Sequence, residues 1–127
     1  DVDALDGPQR RDVLLLAALY DQSTAENRRD RWEELRRKLK VATWREENMD
    51  WAWDQAKFDE LQATVGDLGA PTMFMPRMNV QSLYIEKMGS QNGIYAIYDW
   101  PDTVEAYFRA LEASHDRLMD VIDAALN

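Results

Sequence analysis

The last stretch of the chain, residues 101–126, constrains the fold more than any other. Its apolar residues recur at three- and four-residue steps, the spacing of one buried face of an α-helix. Pro101 suits a first helical turn because its fixed φ is already helical. At about 1.5 Å per residue the helix would be about 39 Å long, so its stripe needs several packing partners or a second subunit. The stripe comprises Val104, Tyr107, Phe108, Leu111, Leu118, Met119, Ile122, Ala125 and Leu126.

Three further helices are predicted within residues 8–69. Pro8 opens the first, whose second half, residues 13–20, is apolar on every side. A helix that is hydrophobic all round is buried all round, so we expect this one at the centre, against the last helix. Patterns typical of a capping box, Ser23 to Glu26 and Thr43 to Glu46, predict that a second and a third helix begin there. The third helix should run from Trp44 to about Val65 and stop at Gly66 or Gly69.

The pattern changes in residues 70–99, where we predict strands. Residues 83–88 and 94–98 are rich in β-branched and aromatic side chains, and they flank residues 89–93. That loop contains Asn92-Gly93, and Asn-Gly is the strongest short hairpin signal. Residues 72–75 could add a third strand. The predicted fold is therefore α+β and mostly helical: one domain over 1–127, about four helices, and a small antiparallel hairpin or three-stranded sheet inserted before the long C-terminal helix. Residues 1–7 are expected to be a flexible lead-in.

The charge of the chain is strongly acidic, −9 at pH 7. Binding to a phosphate backbone depends on Lys and Arg, so nucleic acid is not an expected partner. Residues 25–40 are the exception, since they hold seven basic and four acidic side chains. A basic segment on an acidic body is typical of a contact patch. Arg29 and Arg36 in this segment, and Trp53 and Phe74 outside it, are our candidates for contact with a protein partner.

Several chemistries are excluded by residue type. The chain has no cysteine, which rules out disulfides, thiolate metal sites and cysteine nucleophiles. A single histidine gives no zinc constellation. The longest apolar run is eight residues, against the roughly 20 that a membrane span needs. The N-terminus is acidic, without the basic region of a signal peptide, so we expect a cytoplasmic protein with no membrane association.

A small-molecule pocket is one possible site. His115 is the only histidine and falls in the middle of the C-terminal apolar stripe. It is either a hydrogen-bonded core residue or a pocket group whose pKa burial would shift. Methionine surfaces adapt to varied ligands, and the run 73–78 contains three methionines and a phenylalanine. The candidate pocket residues are His115, Tyr84, Tyr95, Tyr98, Met73 and Met75.

Acidic side chains offer a second possible site. Glu47, Asp50 and Asp54 would share one face of the predicted third helix, where three carboxylates can hold Mg²⁺. A solvated acidic face is the other interpretation. Asp30-x-x-Glu33 followed by Glu47-x-x-Asp50 resembles the paired acidic motifs of the all-α MazG-like nucleotide pyrophosphohydrolases, with Asp30 where that family has Glu. The resemblance implies a Mg²⁺-dependent hydrolase that uses these carboxylates.

The leading functional hypothesis is a non-catalytic protein whose acidic surface binds a basic partner, in the manner of antitoxins, immunity proteins or nucleic-acid mimics. The absence of a catalytic motif, the charge and the ten Trp and Tyr residues favour it. No catalytic residue and no cofactor are predicted for it. A homodimer through the C-terminal helix is a companion hypothesis. The alternatives are a small-molecule-binding domain with an aromatic and methionine pocket near His115, and the Mg²⁺-dependent nucleotide pyrophosphohydrolase.

Overall fold

Helices account for all the regular structure in the described part of the chain. The computed structural model describes residue 4 and residues 6–127, without the side chains of residues 20–25. It is 82% helix, and its described residues form no strand. The helices are α1 (Gly7–Asn48), α2 (Gln55–Val65), α3 (Asn79–Gln81), α4 (Ser90–Asp99) and α5 (Pro101–Leu126), with a 3-10 turn (Gly66–Leu68) after α2 and a π-helical segment (Ser82–Lys87) after α3.

The chain divides into two compact units, Asp1–Arg37 and Lys38–Asn127, called here the N-terminal and C-terminal units. Most of the predicted flexible lead-in, residues 1–3 and 5, lies outside the described residues. Among the described residues, no helix combines the length and the apolar character that crossing a membrane requires.

The N-terminal unit exposes the apolar run that we predicted to be buried. α1 begins after Asp6, whose Oδ1 accepts a hydrogen bond from the Gln9 backbone N–H at 2.9 Å. The large apolar side chains of the run are 39–66% exposed, because no second α-helix covers them among the described residues of this unit. The prediction of a central, buried first helix is therefore wrong. The exposed residues are Val13, Leu14, Leu15, Leu16 and Leu19.

The helix boundaries predicted from the two capping boxes are also wrong. The backbone stays α-helical from Gly7 through Asn48, past both Ser23 and Thr43. The Thr43 hydroxyl donates to the Leu39 carbonyl at 2.9 Å, so it bonds back into the helix and caps nothing. α1 ends where the Asn48 side-chain amide donates to the Trp44 carbonyl. One predicted end is confirmed, since α2 stops at Val65 and Gly66 follows with φ 54°.

The predicted β-hairpin is helical. Residues 83–87 belong to the π-helical segment, residues 94–98 to α4, and residues 72–75 to an irregular connection. Gly89, with φ 79°, precedes α4, and Asn92-Gly93 lies in its first turn. A methyl group on Gly93 would overlap the Tyr84 ring, so glycine here permits close packing of two helical segments. Burial of Gly93, Ala96 and Trp100 at helical spacing outweighs the strand preference of the residues between them.

The core of the C-terminal unit is built around the first half of α5. The predicted span of that helix is confirmed, with Pro101 in its first turn. Leu39 from α1, Leu83 from the π-helical segment, and Ala96 from α4 contribute the remaining helical side chains, with Trp100 at the α4–α5 junction. The second half of α5 is less buried, and Met119 and Leu126 are exposed. The buried face of α5 consists of Thr103, Val104, Tyr107, Ala110, Leu111 and Ser114.

Candidate functional site: an apolar groove beside a polar pocket

An open apolar groove lies on the C-terminal unit, between α2, the irregular connection before α3 and the second half of α5. Its volume is about 260 Å³. Apolar and aromatic side chains dominate its lining, as in most ligand and peptide sites. Three separate stretches of sequence supply its walls: Trp51, Ala52, Trp53, Asp54, Lys57, Phe58 and Leu61; Met73, Phe74, Met75 and Pro76; and Leu118, Val121 and Ile122.

The first wall of the groove is held by short-range contacts at the start of α2. Asp54 caps the helix by accepting a hydrogen bond from the Lys57 backbone N–H at 3.0 Å. The Trp53 indole N–H donates to Gln55 Oε1 at 2.9 Å. The Trp53 and Phe58 rings pack at a centroid distance of 5.2 Å and a tilt of 49°. These contacts fix a half-buried aromatic pair in the groove wall.

The second wall, residues 73–76, is far more exposed. Phe74 is fully exposed, and Met73 and Met75 are 47% and 42% exposed. Proline at positions 71 and 76 prevents the segment from continuing as a helix. Unbranched methionines and a solvent-exposed phenyl ring at the mouth of an apolar groove are typical of a surface that adapts to a partner.

The charges around the groove are mainly negative. Residues 50–61, 71–78 and 116–126, the three segments that form or flank its walls, carry seven acidic and three basic side chains. The basic ones are Lys57, Arg77 and Arg117. Lys57 is paired with Glu60 at 3.2 Å, and Arg77 with Glu86 at 3.3 Å. An acidic surround with mostly neutralised cations favours a positively charged partner.

A smaller polar pocket adjoins the groove. Its volume is about 60 Å³. Trp51 and Pro76 line both cavities, so the two lie side by side. The Trp51 indole N–H donates to the buried Ser114 hydroxyl at 3.0 Å. This hydrogen bond fixes the Trp51 ring at the border of the two cavities. The remaining lining residues of the polar pocket are Glu46, Arg77, Met78, Ser82, Glu86, Lys87, Tyr107, Leu111, Ser114 and His115.

A chain of hydrogen bonds crosses the wall of the polar pocket. Arg77 donates to Glu86 Oε1 at 3.3 Å, and the Ser82 hydroxyl donates to Glu86 Oε2 at 3.0 Å. Ser82 and the Tyr107 hydroxyl lie 2.8 Å apart. Both hydroxyl residues are buried, so each needs its partner to offset the loss of water.

Burial raises the pKa of Tyr107, the hydrogen bond with Ser82 lowers it in part, and the charges of Glu46 and Glu86 raise it further. In the unfolded chain the phenol titrates near pH 10. As the pH rises, the unfolded chain therefore releases this proton before the folded protein does. The contribution of the protonated Tyr107 to the free energy of unfolding is complete below about pH 10 and is lost as the pH rises further. We expect the wild type to lose more stability than Tyr107→Phe between about pH 9 and about pH 11, measured by urea unfolding. Equal losses would contradict this assignment.

The residues predicted for a small-molecule pocket are only partly brought together. Met73 and Met75 line the apolar groove, and His115, which is half-buried, lines the polar pocket. Tyr84, Tyr95 and Tyr98 line neither cavity. Tyr84 packs against Gly93, and the other two are exposed on α4. The predicted proximity of these tyrosines to the methionines depended on a hairpin that is absent from the described residues.

The predicted partner-contact residues fall in different units. Trp53 and Phe74 both line the apolar groove. Arg29 and Arg36 belong to α1 in the N-terminal unit. Arg29 is exposed, whereas Arg36 is half-buried and lies 3.9 Å from Glu33. The groove therefore contains the two aromatic candidates.

The three carboxylates predicted to share a helical face do not do so. Glu47 is in the last turn of α1, Asp50 is in the break after it, and Asp54 caps α2. The helix that would have aligned them is interrupted, because α1 ends at Asn48. In the described part of the chain, no group of three or more His, Asp or Glu side chains is placed to hold a metal ion.

The role of Asp54 as a cap can be measured. Asp54→Ala should lower the free energy of unfolding by about 1 kcal/mol, because the first turn of α2 loses its side-chain acceptor. Asp50→Ala is the matched control and should stay within about 0.5 kcal/mol of the wild type, since Asp50 is exposed outside any helix. Urea unfolding followed by circular dichroism measures both. An equal effect of the two substitutions would count against the cap.

Sequence reasoning missed most of the polar pocket. Ser82, Tyr107 and Ser114 come from two segments far apart in the chain, and serine carries no pattern that marks it as buried. Trp51 and Phe58, which line the apolar groove, were not among the predicted site residues. The available signal was the pair of tryptophans, Trp51 and Trp53, just before α2.

Comparison with protein-family models, with curated proteins and with solved structures gave no match to this chain. The functional conclusion therefore comes from the two cavities and their charges.

Proposed function

We propose that this protein is a non-catalytic interaction module that binds a basic partner through the apolar groove. The observation that carries the proposal is the combination of an open aromatic and methionine groove with a mainly acidic surround. Apolar anchors supply affinity in such interfaces, and complementary charge supplies the rate of association and the choice of partner.

The shape of the groove favours a peptide segment over a globular surface. A cleft of about 260 Å³ accommodates a few side chains, and its walls run along two helices. An amphipathic segment laid in a groove between helices places its apolar residues inward and its charged residues at the rim. The partner we propose is therefore a segment with bulky apolar residues flanked by Lys and Arg.

Selection from a random peptide library displayed on phage tests this proposal. The enriched peptides should combine aromatic or aliphatic residues with a net positive charge. Their binding should weaken when NaCl is raised from about 50 mM to about 500 mM, because exposed charges are screened. Failure to enrich any peptide, or enrichment of acidic peptides, would overturn it.

Binding of a small apolar molecule in the same groove is the second candidate function. The aromatic and methionine lining of the groove, which includes Met73 and Met75, supports this proposal. Thermal denaturation against a library of apolar and aromatic compounds tests it: a binder should raise Tm for the wild type and not for a groove variant such as Phe58→Ser. A compound library without any such shift would count against it.

The other two hypotheses have less support. The half-exposed second half of α5 is compatible with a homodimer, and light scattering at high micromolar concentration should then give twice the monomer mass. For a Mg²⁺-dependent nucleotide hydrolase, the described residues provide no grouped carboxylates. The geometry therefore does not favour that function.

A further inference from the structure

We propose that the polar pocket binds the ammonium or guanidinium group of a lysine or arginine on the same basic partner whose apolar residues fill the groove. This inference rests on the proposed function and adds a specificity site to it. Trp51 and Pro76 line both cavities, so one extended segment can occupy the groove and reach the polar pocket.

The direction of the hydrogen bonds makes the buried hydroxyl of Tyr107 an acceptor. Ser82 has one proton, and its bond to the acceptor-only carboxylate of Glu86 uses it. Tyr107 must then donate its own proton to Ser82 across the 2.8 Å contact. Its oxygen has only lone pairs left for a further partner. The network therefore leaves no free hydroxyl proton to donate to an anionic ligand.

The carboxylate of Glu46 supplies the charge. Glu46 is half-buried and lines the pocket. Its backbone carbonyl accepts from Arg117 at 2.6 Å, while its carboxylate has no hydrogen bond or ion pair with another described residue. Glu86, in contrast, has both oxygens engaged, by Arg77 and Ser82. Glu46 is therefore the negative group that an incoming cation would meet.

Two acids, Glu46 and Glu86, and two bases, Arg77 and Lys87, line the pocket. Arg77 is paired with Glu86 and Lys87 is exposed, so Glu46 is the half-buried charge among them. Burial raises the pKa of Tyr107, and the nearby charges of Glu46 and Glu86 raise it further. The pocket of about 60 Å³ is far smaller than the roughly 300 Å³ or more of a typical small-molecule site. It fits the end of a side chain.

The experiment is a peptide selection carried out in parallel on the wild type, Glu46→Gln and Glu47→Gln. Glu47 is the matched control because it is the neighbouring glutamate, exposed and in neither cavity. Wild type and Glu47→Gln should enrich peptides with Lys or Arg at a fixed distance from the apolar residues. Glu46→Gln should keep the apolar positions and lose that basic position.

Affinities then separate the two proposals. Replacing the fixed basic residue of a selected peptide by norleucine should weaken binding to the wild type about tenfold, and to Glu46→Gln less than about twofold. If the wild type enriches peptides with fixed apolar positions but no fixed basic position, the proposal for the polar pocket is wrong and the proposal for the groove is unaffected. The same conclusion follows if the norleucine replacement weakens binding equally for both proteins. No enriched peptide at all would overturn both.

Discussion

Replacing Trp53 by alanine should weaken binding of a selected basic peptide about thirtyfold, or ~2 kcal/mol, because buried aromatic anchors carry most of the energy of such interfaces. Trp53 is half-buried in the groove wall, packed on Phe58. Truncation would remove apolar contact area from the centre of the site and leave the acidic rim intact. Fluorescence anisotropy with a labelled peptide measures the dissociation constant.

Trp44→Ala is the matched control for this variant. Trp44 is also a tryptophan of the C-terminal unit, is 64% exposed and lines neither cavity. Its removal should change the affinity by less than about twofold, as for most residues outside a hot spot. Circular dichroism should show that both variants remain helical. Equal loss of affinity in both would place the binding surface elsewhere.

The second large effect concerns stability. Leu83→Ala should lower the free energy of unfolding by about 3 kcal/mol, because truncating a buried leucine loses transfer energy and leaves a cavity. Leu83 is completely buried between helical segments, whereas Leu68 is 95% exposed. Leu68→Ala should therefore lie within about 0.5 kcal/mol of the wild type.

Urea unfolding followed at 222 nm compares these two leucine variants. The comparison also tests the helical packing of residues 79–99, because Leu83 is buried in the π-helical segment, which packs against α4 and not against a strand. Similar effects of the two substitutions would mean that Leu83 is not in the core.

The C-terminal helix was predictable because several independent signals agree over residues 101–126. Helical periodicity, Pro101 in the first turn and the length of the stripe all indicate the same element, and the structure has that span. The helical conformation of residues 83–98 was not predictable, because Asn92-Gly93 and the flanking aromatic residues satisfy the local rules for a β-hairpin. Their helical conformation depends on packing of Gly93 against Tyr84, which is not visible in local sequence.

The capping boxes illustrate a different limit of local patterns. Thr43-x-x-Glu46 has the right residues for a helix start, yet Thr43 lies inside α1 and bonds to Leu39. The functional cap is Asp54, which the sequence suggested only as a metal ligand. A side-chain oxygen can serve either role, and the choice depends on where the backbone breaks.

The sequence predicted which types of residue would form a binding surface, but not that they would form a groove. The methionine and phenylalanine run at 73–75 was predicted to contact a ligand or partner, and these residues do lie at the groove. The opposing walls come from residues 51–61 and 118–122, and no local pattern relates these segments to one another. Tertiary contacts, such as the hydrogen bond between Trp51 before α2 and Ser114 on α5, determine which side chains meet.

The indole N–H resonances of the five tryptophans test the groove most directly. In ¹H–¹⁵N spectra, a selected basic peptide should shift the Trp51 and Trp53 signals, since both indoles belong to residues that line the groove. The Trp32, Trp44 and Trp100 signals should remain in place. Shifts confined to those three, with Trp51 and Trp53 unchanged at saturation, would contradict binding in the groove.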